Sequence, residues 1–293
     1  MIDTSMDSLP RITVVTPSYN QAQFLEETIL SVLGQNYPNL EYMVLDGEST
    51  DDSANIIRKY EKHLAYWVSA KDGGQSVAIN TGFARATGDI LCWLNSDDTY
   101  LPGTLKYVAS VLKAGEPQIL FGNCFHYVDG QAAAWGSNVC AAHESKDLAI
   151  VDYIIQPSSF WTRETWVRTG VLDESLTYAF DWEWFIRAKK RGVLFKPCNR
   201  YLSVYRIHQN HKTSTGGSVR LSELAAVYRR YAGPEYEELF HLCRHSKPRI
   251  RLLQKWLHRF RFGRLESLFL RLFFPRLFGR FPAHEVFNVL DMG

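Results

Sequence analysis

Apolar and polar positions follow two alternating periods over the first 120 residues. Arg11–Thr16 (RITVVT) is a short apolar run of strand type, ended by Pro17. Phe24, Leu25, Ile29, Val32 and Leu33 then recur at helical spacing, and Gly34 stands where that helix should stop. Leu40–Leu45 predicts a second strand. Ser49, Thr50 and Asp51 offer caps for a helix carrying Ile56, Ile57 and Tyr60. Tyr66–Ser69 predicts a third strand, Gln75–Ala86 a helix, and Asp89–Leu94 (DILCWL) a fourth strand. Pro102 opens a helix through Leu112, and Ile119–Phe121 is a further strand. Residues 125–215 are less regular and rich in aromatics. Beyond Gly216-Gly217, the segments Val219–Tyr231, Glu235–His245, Arg249–Phe262 and Arg264–Phe274 read as four helices. Gly233-Pro234, Lys247-Pro248, Gly263 and Pro275 are the expected breaks.

Four β-α steps in succession predict an α/β domain whose mostly parallel central sheet is covered by helices. Right-handed crossovers place the carboxyl ends of such strands on one edge, where ligands bind. The polar clusters fall on that edge: Pro17-Ser-Tyr-Asn20, Asp46-Gly-Glu-Ser-Thr-Asp51, Lys71-Asp-Gly-Gly-Gln75 and Asn95-Ser-Asp-Asp98. The expected organisation is a loose tail over 1–10, a catalytic α/β domain over 11–216 and a basic, amphipathic helical C-terminal extension over 217–293.

Composition narrows the class. With 46% hydrophobic and 22% charged residues among 293, the chain is neither disordered nor a small disulfide scaffold. Five scattered cysteines without a CxxC pair suit a reducing compartment. The polar, acidic N-terminus is unlike a signal peptide, and no run of about 18 apolar residues predicts a spanning helix. A cytoplasmic location follows as an expectation. The net charge of +2 (33 basic, 31 acidic) conceals a strong asymmetry. From Arg244 to Arg280 there are eleven Lys/Arg and one acid, Glu266, so this stretch is +10 and the rest −8. Such segregation predicts an anionic partner for the C-terminal part.

Three phosphate or metal signatures are missing: GxGxxG, any Gly-Lys pair, and HExxH. A dinucleotide fingerprint, a Walker A loop and a zincin site are therefore excluded. Asp97-Asp98 directly follows the apolar fourth strand. Adjacent acids there suit Mg²⁺ or Mn²⁺, which favour carboxylate oxygens and bridge to phosphate. Alone, such a pair is more often a solvated turn or a helix cap.

Its company resembles a family-2 glycosyltransferase, an inverting enzyme of GT-A fold, over residues 11–215. The resemblance is carried by Val14-Val-Thr-Pro-Ser-Tyr-Asn20, Asp46-Gly-Glu-Ser-Thr-Asp51, Asp72-Gly-Gly-Gln-Ser-Val-Ala-Ile-Asn-Thr-Gly82, Ala86-Thr-Gly-Asp89 and Leu94-Asn-Ser-Asp-Asp98, in order. The last piece looks like the family's DxD-type metal motif. Asn95 stands where the family often has a first Asp, keeping an oxygen and losing a charge.

The resemblance implies roles. Pro17, Ser18, Tyr19, Asn20, Asp46, Lys71 and Asp72 would line the pocket of a nucleotide-sugar donor, a UDP-sugar favoured, with Asp46 accepting from the base. Asp97 would touch ribose or metal, Asp98 would ligate the divalent cation, and His208 of Tyr205-Arg-Ile-His208 would reach back to it. Asp181, in Tyr178-Ala-Phe-Asp-Trp-Glu-Trp184, matches the general-base position, although Phe180 replaces a customary Glu. Apolar neighbours there would raise its pKa toward a useful range. Glu183 is the rival base. Gln156-Pro-Ser-Ser-Phe-Trp161 resembles the acceptor-side segment, so Trp161, with Trp182, is assigned to the acceptor side. Core packing is the alternative for Trp161. Gln209–Gly217, polar and Gly-rich, is expected to act as a lid.

In the extension, Leu253, Trp256, Leu257 and Phe260 form one stripe, and Leu265, Leu268, Phe269, Leu272 and Phe273 another, with arginines flanking both. This is the composition of an interfacial anchor on an anionic membrane, and no nucleic-acid motif accompanies it. A helical cap on the domain is the competing reading. The functional expectation is metal-dependent transfer of a sugar to a saccharide or lipid-linked acceptor, at the inner face of a membrane. Two alternatives stand beside it: a sugar nucleotidyltransferase, whose Gly-rich basic signature is missing, and a catalytically dead scaffold, against which Asp46, Asp98 and Asp181 argue.

Overall fold

The structure, a computed structural model, describes residues 9–131, 134–209, 212, 216–260 and 265–292. Two compact units emerge: Met1–Ser145 with Tyr153–Thr215, and Lys146–Asp152 with Gly216–Gly293.

The first unit is built on a nine-stranded sheet: β1 Ile12–Ser18, β2 Leu40–Asp46, β3 Tyr66–Ser69, β4 Ile90–Trp93, β5 Thr99–Tyr100, β6 Gln118–Val128, β7 Ala134–Gly136, β8 Ser159–Thr162 and β9 Leu194–Ile207. The strand order is β3-β2-β1-β4-β8-β6-β9-β5, with β7 paired to β6. Pairs β2–β3, β1–β2, β1–β4 and β6–β9 are parallel, while β8 runs antiparallel to β4 and β6. Every residue of β1 is buried, as a strand covered on both faces requires. The helices are α1 Ala22–Leu33, α2 Ser53–Lys59, α3 Gln75–Arg85, α4 Thr104–Val111, α5 Val139–Ser145, α6 Arg163–Thr169 and α7 Phe180–Lys190. One apolar cluster joins Leu25, Ile29 and Val32 of α1 and Leu105 and Val108 of α4 to Val14, Val44, Cys92 and Leu202 of the sheet.

Two expectations change here. The strand over Ile119–Phe121 continues to Val128, because β6 pairs with β9 along its whole length, through an irregularity at Gly122–Cys124. The helix expected from Pro102 begins at Thr104, after Gly103 turns the chain in the left-handed region at φ 80°.

In the second unit lie α8 Gly217–Tyr231, α9 Pro234–Arg259, α10 Glu266–Phe273, α11 Pro275–Phe278 and α12 Ala283–Met292. Leu224, Tyr228, Phe240, Ile250, Leu257, Leu270, Val286 and Val289 are buried. The break expected at Lys247-Pro248 is not there, and Pro248 sits inside a 26-residue helix. Proline removes one hydrogen bond and crowds the preceding turn, at roughly 3 kcal/mol. Burial of Leu239, Phe240 and Cys243 on one side of it and Ile250 and Leu257 on the other carries the helix through. The Gly263 break lies outside the described residues. Of the described residues, no helix is long and apolar enough to cross a membrane.

Candidate active site

The chain leaves β4 at Leu94, whose N–H still bonds Val15 O at 2.9 Å, and turns through Asn95–Asp98 to enter β5. That turn sets Asp97 and Asp98 at the carboxyl end of the central parallel strands. Asp98 is 1% exposed. Its Oδ1 accepts the Arg206 N–H at 3.1 Å and its Oδ2 accepts from Asn95 Nδ2 at 3.4 Å. Burial, and then the charge of Asp97, hold the Asp98 carboxyl well above the ordinary carboxylate range. Asp97 Oδ2 lies 3.1 Å from His208 Nε2, and the His208 ring rests on Phe24, centroids 4.6 Å apart. The structure therefore brings Asp97, Asp98 and His208 together across 111 residues.

Arg206, which the sequence reading passed over, fastens this group. Its Nε donates to Asp97 O at 3.1 Å, its Nη2 pairs with Glu27 of α1, and its guanidinium lies 4.7 Å from the Phe24 centroid. A relay of amides was also missed. Lys212 Nζ donates to Gln75 Oε1 at 2.6 Å, Gln75 Nε2 to Asn95 Oδ1 at 2.7 Å, and Asn95 Nδ2 to Gln156 Oε1 at 3.3 Å. Gln75 and Gln156 lie inside motifs quoted above, but no spacing rule ties them to Asn95. Lys212 also sits 5.6 Å from the Tyr178 ring and 5.4 Å from the Phe180 ring. Most of the expected lid, residues 210–211 and 213–215, lies outside the described residues.

Asp46 ends β2 and is buried. Ser49 Oγ (2.5 Å), Ser49 N–H (3.0 Å) and Ser69 Oγ (2.6 Å) all donate to its carboxylate. It thus shapes the 47–51 loop. Asp72 leans over Gly47, where a Cβ would come within 3.1 Å of its carboxylate, and accepts the Gly74 N–H at 2.8 Å. Asn20, at φ 52°, accepts from Thr50 N–H at 2.8 Å. Pro17 and Ser18 are buried at the end of β1, and Tyr19, Asn20 and Lys71 are exposed. Ser18 Oγ is buried without a hydrogen-bond partner, a donor left over at the mouth of the loop.

Asp181 is half-buried in the first turn of α7, with its Oδ1 accepting the Trp182 N–H at 2.8 Å. The rival, Glu183, is 1% exposed and forked onto Arg187 at 2.8 Å, which also donates to Thr169 O and Val171 O. Glu183 is thus held in a largely buried ion pair. The acceptor-side assignment of Trp161 and Trp182 is corrected. Both are fully buried, because β8 is an inner strand and α7 turns Trp182 inward. Trp161 packs 5.2 Å from Trp93 and 4.8 Å from Trp184. A sugar cannot reach either ring.

No described group of three or more His, Cys, Asp or Glu side chains gathers closely enough to hold a metal alone. A cation that keeps one or two carboxylates and takes its remaining ligands from phosphate and water does not need such a group. Asp97 and Asp98 are the carboxylates that could contribute to one, with His208 beside Asp97.

The strand-end acid pair thus lies on the same edge of a mostly parallel sheet as the 47–51 loop that Asp46 shapes. The chain belongs to glycosyl transferase family 2, whose description matches residues 13–164, just over half of its length. It is similar to an uncharacterized glycosyltransferase of Rickettsia typhi, 24% identical over 233 residues, covering 75% of this chain and 70% of that one. A GalNAc(5)-diNAcBac-PP-undecaprenol beta-1,3-glucosyltransferase of Campylobacter jejuni is 28% identical over 126 residues, 42% of this chain and 40% of the relative. Among solved structures, Staphylococcus aureus TarS 1-349 in complex with UDP-GlcNAc superposes with a TM-score of 0.61 at 18% identity, covering 76% of this chain and 65% of that one. The mannosyltransferase PcManGT of Pyrobaculum calidifontis, with GDP-Man and Mn²⁺, gives 0.58 at 19%, covering 76% and 64%. The fold is GT-A, and the protein is a glycosyltransferase.

Proposed function

We propose that the chain transfers a sugar, with inversion and dependence on a divalent cation, from a nucleotide-sugar donor to a hydroxyl of a saccharide or lipid-linked saccharide. The observation that carries this is the convergence of Asp97, Asp98 and His208 at the β4 end, one strand from the Ser18 turn and two from Asp46. The nucleoside lies against Ser18–Asn20, Asp46, Lys71 and Asp72. Ser18 Oγ supplies the unmatched donor, and Asp46, already fixed by Ser49 and Ser69, takes an N–H of the base. A divalent cation, Mg²⁺ or Mn²⁺, held by Asp97, Asp98 and His208, would supply charge neutralisation for the leaving diphosphate. Asp181 takes the acceptor hydroxyl proton as that oxygen attacks the anomeric carbon from the opposite side. The rival carboxylate, Glu183, is forked onto Arg187, whereas Asp181 stands at the first turn of α7 in the position that the family resemblance gives to the base.

The structural neighbours hold UDP-GlcNAc and GDP-Man, which supports a nucleotide-sugar donor, and an Asp46 that accepts from an N–H of the base favours a UDP-sugar. The basic helices over 244–280 hold the enzyme peripherally on an anionic membrane at the cytoplasmic face. The experiment is release of free nucleoside diphosphate from a panel of UDP- and GDP-sugars, with and without Mn²⁺, alongside thermal shift. Release or stabilisation by one donor, only with metal, is the expected result. Indifference to every donor with Mn²⁺ present overturns the reading.

A further inference from the structure

With Trp161 and Trp182 in the core, no aromatic assigned from the sequence remains for an acceptor sugar. The sheet supplies another group. His126 of β6 is directly opposite Trp135 of β7 on one side and Tyr205 of β9 on the other. Directly paired residues point to the same face of a sheet. The His126 and Trp135 rings stack at 5.4 Å and 10°, and His126 meets Tyr205 edge-on at 5.6 Å. Trp135 is 50% exposed. The row spans two strand spacings, about 10 Å.

Its position ties it to the reacting centre in two ways. Tyr205 precedes Arg206, whose N–H holds Asp98. Arg206 points to the α1 face, onto Phe24, so Tyr205 points to the opposite face. Ser203, two residues before Tyr205 and on its face, bonds Ser158 Oγ at 2.6 Å. That turn also carries Gln156, the partner of Asn95. The nucleoside side, by contrast, is at β1 and β2, on the far side of β4 and β8 in the strand order.

We propose that His126, Trp135 and Tyr205 form the platform on which a pyranose ring of the acceptor saccharide stacks. This rests on the transferase reading and names where its second substrate lies. The apolar C–H face of a pyranose matches an aromatic ring face, and its hydroxyl edge needs polar partners at the rim. The Trp135 indole supplies the face, while the His126 imidazole and Tyr205 hydroxyl supply donors and acceptors. Burial keeps the His126 pKa below its ordinary value, so the ring is neutral at pH 7 and both donates and accepts. The opposite face provides an internal control. There Phe125 and Tyr201 stack on each other at 4.1 Å and 9°, with Tyr201 lying across Gly136, on the side of the sheet away from Tyr205 and His126.

The test is saturation-transfer NMR on the full chain with methyl β-D-glucopyranoside, methyl α-D-mannopyranoside and methyl N-acetyl-β-D-glucosaminide, in UDP and Mn²⁺. At least one glycoside should show saturated ring protons that UDP does not displace. Trp135→Ala should weaken that binding at least tenfold, Trp135→Phe should retain most of it, and Phe125→Ala should leave it within twofold. A silent panel, displacement by UDP, or an unchanged Trp135→Ala variant overturns the platform. Binding of UDP–Mn²⁺ is followed in parallel by calorimetry. If wild type binds no nucleotide, the transferase reading itself fails; if it does and the Trp135 effect is missing, only the platform fails.

Discussion

Arg206 holds Asp98 from the backbone, N–H to Oδ1 at 3.1 Å, while its own side chain reaches Asp97 O and Glu27. One residue of β9 thereby fixes both acids of the β4 turn and joins them to α1. Groups that orient a metal's ligands commonly cost ten- to a hundredfold in metal affinity when removed. Arg206→Ala keeps the backbone bond and loses the side-chain ones. It should weaken Mn²⁺-dependent UDP binding about tenfold or more by calorimetry, with a smaller change in melting temperature. Affinity equal to wild type would show that Arg206 serves only packing.

Asp98 is buried with both oxygens engaged. Asp98→Asn is nearly isosteric but replaces one acceptor by a donor, facing the Arg206 N–H or the Asn95 amide. Cation-dependent nucleotide release should fall by about 10²-fold or more, the scale of losing one electrostatic contact at a developing charge. Normal metal-dependent turnover would remove Asp98 from the site.

Asp181 and Glu183 should separate by type of effect. Asp181→Asn should depress transfer about 10²-fold or more with donor affinity nearly unchanged, as loss of a general base does. Glu183→Gln should act on stability, because it removes the charge that the Arg187 guanidinium faces, a loss of about 1–3 kcal/mol for hydrogen bonds to a charged group. Thermal melts and single-turnover rates on both variants decide it, and a stable but inactive Glu183→Gln would reverse the roles.

What was legible in the chain and what was not follows the range of the contacts. The strands β1 to β4 and the acids of the Asn95–Asp98 turn are local signals: an apolar run, then polar residues. β9 was not seen, because LFKPCNRYLSVYRI carries Pro197 and a polar Asn199-Arg200 step in its middle. Pairing with β6 imposes the strand there. Trp161 could not be placed from sequence, since only its two neighbouring strands decide that β8 is interior. Arg206 stayed invisible because its partners are 108, 109 and 179 residues away.

Glu41 gives a pH test of the fold. Burial pushes its pKa up, but donors from Thr13 at 2.6 Å and from Thr87 at 2.6 and 2.7 Å outweigh this and hold it below the ordinary value. A lowered folded pKa means its stabilisation is fully present above the unfolded value of about 4.3 and is lost as pH falls through the folded one. Glu41→Gln should therefore cost stability at pH 7, about 1–3 kcal/mol for hydrogen bonds to a charge. The gap from wild type should narrow as pH drops below about 4. A gap independent of pH would assign the loss to packing.

The C-terminal helices should bind an anionic bilayer reversibly. Leu252 and Trp256 of α9, Phe260 at its C-cap, Leu265 just before α10, and Leu268, Leu272 and Phe273 of α10 are all exposed. Leu257, expected in the same stripe, is instead buried in the second unit. Arg249, Lys255, Arg259 and Arg271 are exposed near them, whereas Arg251 and Arg280 are paired with Asp291 and Glu238. Each basic residue near an anionic leaflet contributes roughly 1 kcal/mol, so a few give a salt-sensitive hold. Insertion of the exposed rings and leucines adds about 25 cal/mol per Å² buried. The full chain should sediment with phosphatidylglycerol vesicles at low salt, release partly at high salt, and ignore phosphatidylcholine. Replacing Leu268, Leu272 and Phe273 by serine removes exposed apolar area without opening the core. That variant should stay in the supernatant with its melting temperature and nucleotide binding unchanged. Sedimentation equal to wild type, or no vesicle binding by wild type, would make these helices a cap and not an anchor.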